Sequence, residues 1–216
     1  MTRNLLSGKT AFVTGSGRNI GRSIAVELAR LGCNVVVNGA SDRAGCEATA
    51  EAATALGVEA LVAVGDVGRS ETVRAIAAQA LERFGAVDIV VNNAAIRPHK
   101  PFLEMEDADW QKVIDVDLTS AFYTCRAFLP GMVARGWGRV ISITGMNAIR
   151  GYNEGAPISA AKHGLWGLTK ALSREFGSRG ITANAVAPGP SRGAGRPADD
   201  PELLAGPPAG LLRPPA

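Results

Sequence analysis

The run Thr10-Ala11-Phe12-Val13-Thr14-Gly15-Ser16-Gly17-Arg18-Asn19-Ile20-Gly21-Arg22-Ser23-Ile24-Ala25 decides the fold. Its first residues are apolar, short and mostly β-branched or aromatic, as suits a strand buried on both faces. From Ile20 to Leu31 the pattern turns helical. Between the two, glycines let the backbone turn tightly and approach a bound anion, and the helix start offers free N–H groups with a partial positive charge. A P-loop needs G-x-x-x-x-G-K-[ST]; here Ser16 stands at its first glycine and Arg22 at its lysine. The G-x-G-x-x-G spacing fails at Ile20. The stretch reads instead as a strand, turn and helix shaped for a dinucleotide pyrophosphate, held by Gly15, Ser16, Gly17, Arg18, Asn19, Ile20 and Gly21.

Outward from this turn the same rhythm repeats. Strands are expected at Thr10–Thr14, Val35–Val37, Ala60–Val64, Ile89–Val91, Val140–Ile143 and Thr182–Val186. Helical patterns fall at Ile20–Leu31, Asp42–Leu56, Glu71–Phe84, Ala108–Ala134 and Ser159–Phe176. Gly32, Gly57, Gly85, Gly136 and Gly180 stand at or just past helix ends, where a left-handed residue is wanted. Alternating strands and helices imply right-handed crossovers and an α/β fold of the Rossmann type, a doubly wound parallel sheet of about six strands with helices on both faces. Residues 1–189 are expected to form this domain. Most of the 12 prolines lie from Pro188 onward, and neither period survives there, so 190–216 is expected to be a Pro/Gly-rich irregular tail.

Composition narrows the function classes. The 216 residues are 46% hydrophobic and 20% charged, with a net charge of +3 spread along the chain, which is the make-up of an ordinary globular domain. No basic run or stripe with interleaved aromatics is present, so nucleic acid is not an expected partner. No stretch approaches the roughly 18 apolar residues of a membrane span. Cys33, Cys46 and Cys125 are far apart with no C-x-x-C pair, so they read as buried free thiols, and no metal site is expected. The N-terminus has no apolar core of a signal sequence, and a cytoplasmic protein is the expectation.

The spacing T-G-x-x-x-G-x-G from Thr14 to Gly21 resembles the fingerprint of the short-chain dehydrogenase/reductase family, with Asn19 in place of its middle glycine. Asn accepts positive φ more readily than other side chains. Further motifs follow in the family's order: Asp66-Val67 after the third strand, Asn92-Asn93-Ala94-Ala95 after the fourth and Pro188-Gly189 after the sixth. The chain is similar to classical members of the 3-oxoacyl-ACP reductase kind. The resemblance implies that Asp66 and Val67 meet the adenine, that Asn93 and Ala94 line the adenosine side, and that Pro188 and Gly189 close over the nicotinamide end. An NAD site of this type carries an acid about 20 residues past the glycines. Here the second strand ends Val37-Asn38-Gly39-Ala40-Ser41 without one, while Arg18 stands where NADP-preferring members are basic. This favours NADP(H) over NAD(H), with Asn38 and Ser41 as neighbouring contacts; Asp42 reads as a helix cap.

The resemblance also exposes a gap. The family works with Asn, Ser, Tyr and Lys. Aligned without insertions, Lys162 falls on the Lys, Asp117 on the Asn, Gly145 on the Ser and Ile158 on the Tyr that moves the proton. Losing a placed general acid typically costs about 10²–10⁴ in rate. Tyr152 is the candidate replacement donor, Thr144 a candidate for the serine hydroxyl, and Asp117 for the Asn role; His163 reads as a partly buried helix residue. Two functions follow. One is an NADP(H)-dependent oxidoreductase acting on a small carbonyl or alcohol; the other is an NADP(H)-binding protein without turnover. The apolar face from Leu165 to Leu172 implies, by the resemblance, a homodimer or homotetramer. The family's final helix and strand are expected to be missing.

Overall fold

The computed structural model describes residues 5–146 and 151–189. Six parallel strands form one sheet: β1 (Thr10–Val13), β2 (Asn34–Gly39), β3 (Ala60–Val64), β4 (Ile89–Asn92), β5 (Gly138–Ile143) and β6 (Ile181–Val186), in the order β3-β2-β1-β4-β5-β6. The expected strands are all present; β2, β4, β5 and β6 run longer by one to three residues, β3 is as expected and β1 ends one residue early. Among the described residues, six α-helices connect or flank them: α1 (Asn19–Arg30), α2 (Arg43–Thr54), α3 (Ser70–Phe84), α4 (Asp107–Ile114), α5 (Ser120–Arg135) and α6 (Ala156–Phe176). Strand order reverses at β1, which pairs with β2 on one side and β4 on the other. The crevice beyond the carboxyl ends of β1 and β4 is where this topology receives a ligand.

Alternation along the strands divides the core between two faces. Phe12, Val36, Val90 and Val140 face α3 and α5, where they meet Ile76, Ala80, Phe128 and Met132. The Phe12 and Phe128 rings lie 5.4 Å apart. Ala11, Val13, Ile89 and Val91 face the other way, onto Ala25 of α1. Gly85 (φ +73°) and Gly136 (φ +65°) end α3 and α5 in the left-handed region, as expected. The three cysteines are free and buried. Among the described residues, no helix is long and apolar enough to cross a membrane.

Two expectations change. The helix expected over 108–134 is α4 and α5 joined by a π-helical turn, Asp115–Thr119, a widening that periodicity alone does not reveal. His163 is exposed rather than partly buried; its ring lies 6.0 Å from that of Trp166. The expected tail, 190–216, lies outside the described residues.

Asn19 has φ +50°, the left-handed conformation for which the family's glycine is suited. Asn19→Gly is therefore expected to leave stability unchanged or slightly raised. Asn19→Val should cost about 1–3 kcal/mol, because a β-branched residue is strained there. Urea unfolding of the two variants checks this.

Candidate functional site

The turn after β1 is built around the absence of side chains. A Cβ on Gly21 would lie 2.2 Å from the Gly15 carbonyl oxygen, and one on Gly15 (φ +63°) would lie 3.0 Å from Ala94 Cα. Asn93 fixes this approach from the neighbouring strand end. Its side-chain amide donates to the carbonyls of Thr14 (2.9 Å) and Gly15 (3.0 Å). The backbone N–H groups of Asn93 and Ala94 both donate to Thr14 Oγ1 at 2.9 Å. The turn also packs against α2, since a Cβ on Gly17 would lie 3.2 Å from Cys46 Sγ.

Ser16 and Asn38 were expected to face the ligand, but their side chains are spent inside the protein. Ser16 Oγ donates to Val13 O at 2.7 Å and accepts from Asn38 N at 3.0 Å. Asn38 Oδ1 accepts from Gly15 N at 3.3 Å, and its Nδ2 donates to Ala63 O (2.9 Å) and Gly65 O (3.0 Å). Both residues are buried, so they shape the turn, and their side chains offer nothing to a ligand. Arg18 is the N-cap of α1 and makes no side-chain cap bond, and no acid sits in the first helical turn. The leading N–H groups of α1 are thus left for an anion. α2 differs: Asp42 caps it, accepting from Gly45 N at 2.9 Å, as expected. Arg18 and Ser41 are exposed. Asp66 Oδ1 accepts from Gly68 N at 2.9 Å in a local turn, and Val67 is a core residue. Pro188 and Gly189 follow β6, half-buried and exposed respectively.

The other half of the crevice holds a buried charge pair. The π turn presents Asp117 inward, where Oδ1 accepts from Ile96 N at 2.8 Å. Asp117 Oδ2 lies 3.6 Å from Lys162 Nζ and has no hydrogen-bond partner. Lys162 projects from α6 and donates to Ile143 O at 3.1 Å. Burial pushes the Asp117 carboxyl up and the Lys162 ammonium down in pKa, and their mutual attraction opposes both shifts. The Arg97 charge is felt by both groups.

The remaining candidate positions differ in what their side chains touch. Ile158 is buried in the core, at 1% exposure. Gly145 has φ +124°, so a serine there would be strained. Thr144 does not stand in for that serine: its hydroxyl donates to Val186 O at 3.1 Å and ties β5 to β6. Tyr152 stands before α6, with Oη 3.0 Å from His99 Nε2. No motif in the sequence marks His99, which lies on the loop after β4. Of the apolar face expected at an interface, Leu165 is buried and Leu172 packs on the core, while Trp166 points outward.

Lys162→Met leaves a carboxylate buried without its counter-charge and is expected to cost about 3–5 kcal/mol. Adding Asp117→Asn should recover most of that loss, a non-additivity that chemical denaturation of the two single variants and the double variant measures directly.

Comparison with known proteins agrees with this geometry. The family model described as short chain dehydrogenase matches residues 9–198. The 3-oxoacyl-[acyl-carrier-protein] reductase FabG of Pseudomonas aeruginosa is 44% identical over 184 residues, covering 85% of this chain and 74% of its own. Nodulation protein G of Azospirillum brasilense is 40% identical, covering 85% of this chain and 75% of its own. A metagenomic short-chain oxidoreductase solved in complex with NADP superposes with a TM-score of 0.81 at 34% identity, over 85% of this chain and 83% of its own. With the glycine turn, the reversal at β1 and Lys162 all in place, the chain belongs to the short-chain dehydrogenase family.

Proposed function

We propose that this chain is an NADP(H)-dependent oxidoreductase that exchanges a hydride with a small carbonyl or alcohol substrate through a non-standard proton donor, Tyr152. The observation that carries the reading is the glycine turn, where any Cβ on Gly21 would collide with the Gly15 carbonyl oxygen, below an α1 N-terminus left without a side-chain cap. This is a cradle for a pyrophosphate, and its residues fit the cofactor. Gly15 to Gly21 would hold the pyrophosphate, Asp66 and Val67 the adenine, and Ala94 with the Asn93 backbone the adenosine side. Pro188 and Gly189 would border the nicotinamide. Arg18 and Ser41 would take the 2′-phosphate, since no acid stands directly at the end of β2. The relative solved with NADP supports that preference. NAD(H) is the weaker alternative.

Bound in this cradle, the nicotinamide supplies the hydride. Lys162 keeps N–H donors beyond the one given to Ile143 O, and these would orient the nicotinamide ribose. Asp117 holds Lys162 in place and fixes the loop after β4 through Ile96 N. Ile158 cannot exchange a proton, so Tyr152 would do so. The 3-oxoacyl reductases among the relatives favour a carbonyl substrate, and the family favours assembly into a homodimer or homotetramer.

A second reading has its own support. Ile158 in the core, the strained place for a serine at Gly145 and the ion-paired Lys162 also suit a protein that binds NADP(H) without turnover. Fluorescence titration followed by a carbonyl panel separates the two. Saturable NADPH binding is expected from both. Arg18→Glu should raise the Kd for NADPH by about tenfold or more, the loss of a charge-assisted contact worth roughly 1.5–3 kcal/mol. Carbonyl-dependent NADPH oxidation is expected only from the enzyme, and its absence across the panel leaves the binding-only reading. No binding at millimolar NADPH sinks both.

A further inference from the structure

The loop after β4 runs as a strap from the glycine turn to the start of α6, and it is pinned at three points. Asn93 holds the turn, Ile96 N donates to Asp117 Oδ1, and Lys100 N donates to Glu154 O at 2.9 Å. Lys100 is also ion-paired through Nζ to Asp109 of α4. Just before that last pin stands His99. Its Nε2 lies 3.0 Å from Tyr152 Oη, and the two rings are 5.0 Å apart at 54°.

The facing segment is shaped to hold Tyr152 there. Tyr152 O accepts from Gly155 N at 3.1 Å. A Cβ on Gly155 would lie 2.2 Å from Tyr152 Cδ1, so only glycine leaves room for this ring. Glu154 sits at φ +56°, a strained conformation for its side chain, and its carbonyl is the one that Lys100 N grips. Strain of this kind persists where surrounding contacts over-determine a position, and such positions gather at functional sites. The other hydroxyls and the second histidine nearby are committed or misplaced: Thr144 is bonded to Val186 O, Ser159 Oγ is shut away from solvent, and His163 faces Trp166 on the outside.

We infer that His99 and Tyr152 form a proton-delivering pair at the mouth of the crevice, with His99 recharging Tyr152. This rests on the oxidoreductase reading above. In the reducing direction the substrate carbonyl carbon accepts a hydride from the reduced nicotinamide dinucleotide, and the π pair moves to the carbonyl oxygen. That oxygen takes the Tyr152 Oη proton, leaving a phenolate. The phenolate takes a proton from the imidazolium Nε2 of His99, and the neutral imidazole regains one from water. A hydroxyl–imidazole contact serves both stages, because Nε2 accepts from the phenol when neutral and donates to the phenolate when protonated. Charged groups near the pair include Arg97 and Lys100 on the strap, Glu154 opposite, Asp109 on α4, Glu104 and Glu106 near Lys100 and, deeper, Asp117 and Lys162.

The test combines kinetics with a measurement on the ligand-free protein. The chain has two histidines, so His163→Gln leaves His99 as a single imidazole signal in ¹H–¹⁵N NMR. Tyr152→Phe is expected to change the chemical shift of that signal. In NADPH-dependent carbonyl reduction, Tyr152→Phe should lower kcat by about 10²-fold or more, while KM for NADPH stays put. His99→Ala should lower kcat by about tenfold or more, remove one ionisation from its pH profile and regain rate with added imidazole. Unchanged NADPH affinity shows that each variant is folded. If the parent chain turns over but both variants keep its kcat and pH profile, or the His99 signal ignores Tyr152→Phe, the pair is overturned and the oxidoreductase reading stands. If the parent chain binds NADPH and reduces no carbonyl, that reading falls and takes the catalytic pair with it.

Discussion

The structure turns on how closely two backbone segments meet at residues 15 and 21. The approach leaves no space for a side chain, so α1 begins directly against the end of β1 and points its first N–H groups into the crevice. Everything that surrounds the turn serves this approach. Asn93 grips the Thr14 and Gly15 carbonyls from β4, Ser16 and Asn38 lock the turn to β2 and β3, and Cys46 of α2 packs below Gly17. The sheet order places the turn at the point where connections diverge, and the buried valines of β1, β2 and β4 hold that point rigid.

The two halves of the crevice have diverged to different degrees. The dinucleotide half keeps its form even where a residue differs, because Asn19 adopts the left-handed conformation required of the glycine it replaces. The other half carries a buried ion pair. Asp117 puts a negative charge where the family pattern is neutral, and Lys162 answers it at 3.6 Å in a buried setting. A buried pair of this kind gains little net stability but is costly to break on one side. Ile158 lies in the core.

Much of this was legible in the sequence because it is local. Strand and helix periods, the glycine caps and the T-G-x-x-x-G-x-G turn each depend on neighbours within a few residues, and they foretold the sheet and the crevice. What was not legible depends on distant partners. Ser16 and Asn38 look like ligand contacts from their position, yet their atoms are claimed by residues on three strands or their ends. Thr144 looks like a serine substitute until β6 is seen to bind it. The π turn at Asp115–Thr119 has no compositional mark, since its residues continue a helical pattern. His99 stands far from Tyr152 in the chain, and only the strap between Asn93 and Lys100 brings them together.

One feature of the turn bears on how a ligand would arrive. The Asn38 side chain, fully enclosed, bonds at once to the glycine loop and to the end of β3, so the cradle is already set before anything enters it. Little conformational freedom remains to be surrendered there on association, and affinity for a pyrophosphate is not diminished by the entropy of ordering a loop.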